Sequence, residues 1–201
     1  MLVSGALSLT PSAAGGGVWY GGRGVFAGGY VLAASNTIDY ITIATTSNAT
    51  DFGNLTAARY SAGGACSDGT TGVFGGGHPT AAIDYITIAT TGNSLDFGDL
   101  SVVRQAIGAC SDTTRGLFGG GQVPAGTYTD TIDYITIATT GNATDFGNLT
   151  YAKSGASGCS DATPGVFAGG DPQSSIGNVI EYVTIATTGS PVFTASESAC
   201  W

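Results

Sequence analysis

The chain has 201 residues, 34 of them glycine, yet 42% are hydrophobic and only 9% charged. That apolar content excludes a disordered glycine-rich chain, which has too little surface to bury. Five Lys and Arg against fourteen Asp and Glu leave a net charge of -9 without a basic cluster, so neither nucleic acid nor an anionic membrane is an expected partner.

In chain order, the stretch from Met1 to Pro11 is weakly apolar and carries no Lys or Arg, so no secretory leader is expected. No apolar run approaches the roughly 18 residues that span a bilayer, and no membrane insertion is expected. From about Gly15 one unit recurs four times. Its phenylalanine falls at Phe26, Phe74, Phe118 and Phe167, spacings of 48, 44 and 49, and its tyrosine at Tyr40, Tyr85, Tyr134 and Tyr182, spacings of 45, 49 and 48. Such self-similarity marks a repeat architecture. The units are expected at about 15–55, 63–100, 106–149 and 155–195 of a single domain spanning 1–201.

The second unit shows the grammar of each copy. Cys66-Ser-Asp-Gly-Thr-Thr-Gly-Val-Phe74 predicts a hairpin, with Asp68-Gly69 supplying the positive-φ turn; Asp112 and Asp161 hold the same place in later units. After Gly75-Gly-Gly77 and a loop comes a strand around Ile83-Asp-Tyr-Ile-Thr-Ile-Ala89. Like its first copy, with Ile38, Tyr40 and Ala44 on one face and Ile41 and Ile43 on the other, it is apolar on both sides, as a doubly covered strand should be. Thr91-Gly92-Asn93 then turns into a fourth short strand around Asp96-Phe-Gly-Asp-Leu100, followed by a basic residue and the next hairpin. Each unit therefore reads as four short antiparallel strands, with no helical period.

A small sheet of this kind cannot bury both faces alone and must stack on its neighbours. The expected fold is all-β, a propeller of four four-stranded antiparallel blades; four is at the lower limit of the roughly 4 to 8 blades seen. The alternative is an open β-repeat array.

The order of diglycine, Ile-Asp-Tyr strand, Asp-Phe-Gly-Asn-Leu, basic Arg59, Arg104 or Lys153, and a hairpin returning to Val-Phe-Gly-Gly-Gly resembles the kelch motif from about Gly15 to Phe193. Phe52, Phe97 and Phe146 stand where kelch repeats usually carry Trp. More narrowly, Thr-Ile-Asp-Tyr-Ile-Thr-Ile-Ala-Thr-Thr-Gly-Asn-Ala-Thr-Asp-Phe-Gly-Asn-Leu resembles kelch-like repeats in virion structural and tail-fibre proteins of marine tailed phages of the cyanophage type. The resemblance implies a non-enzymatic virion protein, assembled in the host cytoplasm, that contacts the host surface from a tail fibre or tail tip. A head or tail decoration protein is the alternative within that class, and a cellular kelch scaffold for protein partners lies outside it. Implied partners are other virion proteins and a host surface glycan or protein.

The chemistry-bearing residues agree with a non-enzyme. A single histidine, His78, builds neither a supported Ser-His-Asp triad nor a zinc or copper cluster, and no cofactor or metal is expected. Ser67-Asp-Gly-Thr70 lacks the spacing of a sialidase Asp-box. Asp39, Asp84, Asp133 and Glu181 occupy one repeat position. If they lined a central axis they would suit a hard cation; strand-edge carboxylates that cap amides or face water are the favoured reading, with Arg59, Arg104 and Lys153 pairing with them or packing between units. Cys66, Cys110, Cys159 and Cys200 also recur singly, as free buried thiols would.

Loops after the diglycine hold 8, 5, 10 and 9 residues, whereas the Leu-to-Cys connectors hold 10, 9 and 9. One rim varies over a constant scaffold, which is where recognition is commonly placed. The candidate binding rim is Tyr30, His78, Gln122, Tyr128, Asp130, Asp171 and Gln173. At the C-terminus, Ala199-Cys200 matches Ala65-Cys66 while Gly17-Val-Trp-Tyr-Gly21 already serves as the first unit's own first strand. Residues 196–201, with Ala199, Cys200 and Trp201, are thus either a tail or a spare strand that would pair outward, and homo-oligomerisation is expected.

Overall fold

The computed structural model of the chain describes residues 22–61, 63–172 and 179–196. These residues form strands, turns and loops with no helix, and so no helix long and apolar enough to cross a membrane. The first sheet comprises β1 (Arg23–Ala27), β2 (Ser35–Thr42) and β3 (Thr50–Arg59). The second comprises β4 (Ala65–Ser67), β5 (Thr71–Gly75), β6 (Ala82–Thr87) and β7 (Leu95–Asp99). The third comprises β8 (Gly108–Ser111), β9 (Arg115–Gly119), β10 (Thr131–Thr136) and β11 (Thr144–Asn148). After the short β12 (Lys153–Ser154) follow β13 (Ser157–Ser160), β14 (Pro164–Ala168), the short β15 (Asp171–Pro172), β16 (Val179–Thr184) and β17 (Val192–Ser196). β13, β14, β16 and β17 make the fourth sheet, and β12 pairs β15 separately. All pairings are antiparallel, within the four larger sheets they join successive strands of a unit, and each sheet is open.

The three complete sheets each have the four strands the sequence predicts. Two departures are local. β3 runs on to Arg59, past the expected boundary at residue 55. The β12–β15 pair is an addition, formed where a connector meets the loop of the following unit. The predicted first strand of the first unit, at residues 17–21, lies outside the described residues, so the first sheet is described by three strands.

Hairpin chemistry is as the sequence predicts. Asp68 Oδ1 accepts from the amides of Thr70 and Thr71 at 2.8 and 2.7 Å, and Gly69 takes φ of +93°. Asp112 repeats this with Thr114 and Arg115 at 2.6 Å each, and Asp161 with Thr163. These side chains replace a backbone turn acceptor, which fixes the start of each second strand.

The core sits between sheets. Val25, Ile38, Phe52 and Leu55 of the first sheet pack with Phe74, Ile86 and Ile88 of the second unit. Val73, Ile83, Phe97 and Leu100 pack with Phe118, Ile135 and Ile137 of the third, and Leu117, Ile132, Phe146 and Leu149 with Phe167, Val183 and Ile185 of the fourth. Each unit thus offers one apolar face forward and another backward, the double-sided pattern legible in Ile83 and Ile86.

Close approach is secured by glycine. The amides of Gly92, Gly141 and Gly189 donate to the carbonyls of Phe52, Phe97 and Phe146, at 2.7, 2.7 and 2.9 Å, so the turn of one unit is hydrogen-bonded to the outer strand of the unit before. At Gly98, φ is +146° and a Cβ would lie 2.4 Å from the Gly141 oxygen. Only glycine fits both constraints.

Cys66 and Cys110 are buried free thiols as expected, whereas Cys159 is exposed. Cys66 fills the space that Gly116 leaves in the next unit; a Cβ there would be 2.4 Å from its sulfur. Burial, with Asp68 nearby, pushes the Cys66 thiol up to about 12, and burial likewise raises Cys110. Both remain protonated at neutral pH and act as small apolar side chains.

Candidate functional site

The site is assembled at the junctions, where a connector leaving one sheet meets the diglycine loop of the next. At the base of each junction the basic side chain is buried. Arg59 donates to the carbonyls of Gly76 and Ala82 at 2.9 and 2.7 Å and pairs with Asp84. Arg104 donates to Phe118, Gly120 and Thr131 carbonyls and meets Asp133 Oδ2 at 2.8 Å. Lys153 meets Glu181 at 2.6 Å. Burial lowers the Arg59 pKa to about 10, which leaves it charged at neutral pH.

Asp84, Asp133 and Glu181 are fully buried, and each also accepts from a backbone amide of the preceding unit: Thr56, Ser101 and Thr150. They therefore cap amides, as expected, but inside the interface and away from water. Among the described residues no group of three or more His, Cys, Asp or Glu is arranged to hold a metal ion.

Above each ion pair, the residue after the basic one bridges the residue after the diglycine. Tyr60 pairs with His78 through backbone bonds of 3.1 and 3.0 Å, and Gln105 with Gln122 through two of 2.9 Å. Ser154 pairs with Asp171 in β12–β15. The anchoring is constant while the side chains change from one junction to the next.

Those side chains form a strip along one rim. Tyr30, 63% exposed, meets Tyr60 edge-on with ring centroids 5.4 Å apart, and Tyr60 lies 5.0 Å from the His78 ring. Gln105 Nε2 donates to Gln122 Oε1 at 2.9 Å, and Gln122 Nε2 to the Gly126 carbonyl at 3.2 Å. Tyr128 donates its hydroxyl to Asp171 Oδ2 at 2.7 Å, and that carboxylate raises the phenol above its ordinary pKa. Val31 and Leu32, 73% and 94% exposed, extend the aromatic end, with Leu32 at φ of +65°. The scan against protein-family models and the search of curated proteins both returned no match.

Of the sequence-predicted rim, Tyr30 and His78 are joined through Tyr60, and Gln122, Tyr128 and Asp171 are joined in a second group. Asp130 is half-buried, and its backbone carbonyl accepts from Leu149 at 2.6 Å. Gln173, Ala199, Cys200 and Trp201 lie outside the described residues. Sequence reasoning missed Tyr60, Gln105 and Ser154. Their signal was available, since each directly follows the repeat's basic residue yet breaks the repeat in identity.

A separate cleft of about 280 Å³, lined by Phe97, Tyr134, Thr139, Gly141 and Asn142 among others, lies at the opposite end of β10. Arg115 sits over the Tyr134 ring, 4.7 Å from its centroid, and in the first sheet Arg23 sits over Tyr40 at 4.5 Å. Each arginine also reaches a carbonyl of the following unit, Ile185 and Ile88 respectively. Their heads are thereby used in joining sheets.

Proposed function

We propose that the four sheets are the blades of a kelch-like propeller and that the module is a non-enzymatic part of a phage particle, a tail-fibre or tail-tip component that binds the host surface through the variable rim. The observation that carries this reading is the strip from Tyr30 through Tyr60 and His78 to Gln105 and Gln122. Side chains that differ at every junction stand on backbone pairings that do not.

Rings beside amides and a carboxylate offer stacking faces together with hydrogen-bond donors and acceptors, the chemistry that a surface glycan or a polar protein patch requires. The supporting scaffold is rigid, since the ion pairs beneath it are buried and connected to backbone carbonyls. The repeat wording adds its resemblance to tail-fibre proteins.

Antibody-gold labelling of intact particles from the source tests the location. Label at the tail tip or fibres is expected, and label spread over the head would replace attachment by decoration. The ring is tested apart from location by small-angle scattering. A compact ring of this length has a radius of gyration of roughly 16 Å, and a clearly larger value would mean an extended stack.

A further inference from the structure

All five Lys and Arg side chains of the sequence lie within the described residues, and each is engaged inside the fold. Arg59, Arg104 and Lys153 are buried against Asp84, Asp133 and Glu181, so each junction is neutral as a pair. Arg23 and Arg115 lie over Tyr40 and Tyr134 and donate to the carbonyls of Ile88 and Ile185. These two begin β1 and β9, whereas the rim follows the far ends of those strands, at the diglycines. Four strand steps from Arg115 to Gly119 span about 14 Å, more than the roughly 8 Å over which exposed charge acts in physiological salt. The rim has no Lys or Arg to offer a ligand.

What it offers instead falls into two groups. The Tyr30 and Tyr60 rings meet at 71° and the Tyr60 and His78 rings at 45°, so they do not cover one another face to face. In the second group Gln122 is bridged to Tyr128, and the exposed Asp171 takes the Tyr128 hydroxyl on Oδ2. Asp171 Oδ1 accepts no hydrogen bond from the described residues. An ionised carboxylate can only accept, so this oxygen calls for a donor such as a hydroxyl and repels an anion.

A basic protein patch would be matched by a field of carboxylates. Among these six side chains there is one, already bonded to a phenol. A pyranose presents a face of C–H bonds and an edge of hydroxyls, which suit the rings and the carboxylate respectively.

We propose, resting on the adhesion reading and narrowing its ligand to one class, that the rim takes an uncharged glycan. Sugar rings lie against the Tyr30, Tyr60 and His78 group, and hydroxyls donate to Asp171 Oδ1. Chains bearing carboxylate, sulfate or phosphate are refused, because no cation meets them and the protein carries a net charge of -9.

The test binds the full chain to host cells in competition with the cells' own surface polysaccharide, released and split on an anion exchanger into a neutral and an anionic fraction. The neutral fraction should compete and the anionic one should not. Attachment should change by less than about twofold between about 0.1 and 1 M NaCl, over which the screening length falls from about 10 to 3 Å. Asp171→Ala should weaken attachment about tenfold, the worth of a hydrogen bond to a charged group. Competition by the anionic fraction, a tenfold loss in high salt, or attachment abolished by protease treatment of the cells with neither fraction competing each overturns the uncharged glycan. If Tyr60→Ala still weakens attachment in such a case, the adhesion reading stands without it. No attachment in any salt overturns the adhesion reading itself.

Discussion

Arg104 and Asp133 belong to consecutive units, and their ion pair of 2.8 Å is sealed from solvent, both side chains being 0% exposed. Removing one partner leaves a buried charge uncompensated, which costs roughly 3–5 kcal/mol. Asp133→Asn should lower the unfolding free energy by about that amount, measured by urea denaturation. Arg104→Lys should fall between the two, because an ammonium keeps the charge but cannot bond the Phe118, Gly120 and Thr131 carbonyls in the same fork.

Phe118 is fully buried, and its ring lies against Gly75 of the preceding unit. Phe118→Ala should cost about 3–5 kcal/mol. Gly98→Ala attacks the same interface from the backbone side, where the new methyl would meet the Gly141 carbonyl at positive φ. A loss of at least about 1–3 kcal/mol is expected there, and no loss would mean that the glycine contact is dispensable.

The thiols should divide by burial. At pH 8 a thiol reagent should modify Cys159 in the native protein and reach Cys66 and Cys110 only on unfolding. The raised pKa also sets a sign. Below the unfolded value of 9.0 the thiol is protonated in both states; above it the unfolded state ionises first. Stability should therefore fall as pH rises from about 9 toward 12, by about 1.4 kcal/mol per pH unit for Cys66 alone. Cys66→Ala should flatten that slope.

The rim should separate binding from folding. Tyr60→Ala and Gln122→Ala remove strip side chains and leave the backbone bridges in place. Attachment of the purified protein to host cells should fall about tenfold or more if these are anchoring contacts, which corresponds to about 1.4 kcal/mol. Thr139→Ala, in the cleft at the opposite end of β10, should leave attachment unchanged.

What the sequence made legible was whatever each unit decides for itself. Asp68-Gly69 announces its hairpin because the turn needs a side-chain acceptor and a positive φ within four residues. Ile83 and Ile86 announce a strand covered twice because alternate residues point to opposite faces. Arg104 and Asp133 were readable as partners in kind, though 29 positions apart, since both recur with the unit. Tyr60 was readable only as a break in the repeat directly after the basic residue, and not by what it would touch. Its role depends on which loop lies across the junction, and that is fixed by the stacking of two sheets and by no local pattern. The exposure of Cys159 was hidden for the same reason: its own unit resembles the others, and what differs is the neighbour.

The bonds from Gly92 to Phe52, from Gly141 to Phe97 and from Gly189 to Phe146 have a consequence for how such a gene changes. Because the same amide meets the same carbonyl at each of these three seams, a whole unit duplicated in frame arrives with both mating surfaces ready. Slippage between the near-identical coding tracts would lengthen or shorten the array without any new interface having to be invented, while point changes in the rim alter what it touches. Architecture and recognition are thus written in separate parts of each copy and are free to evolve at different rates.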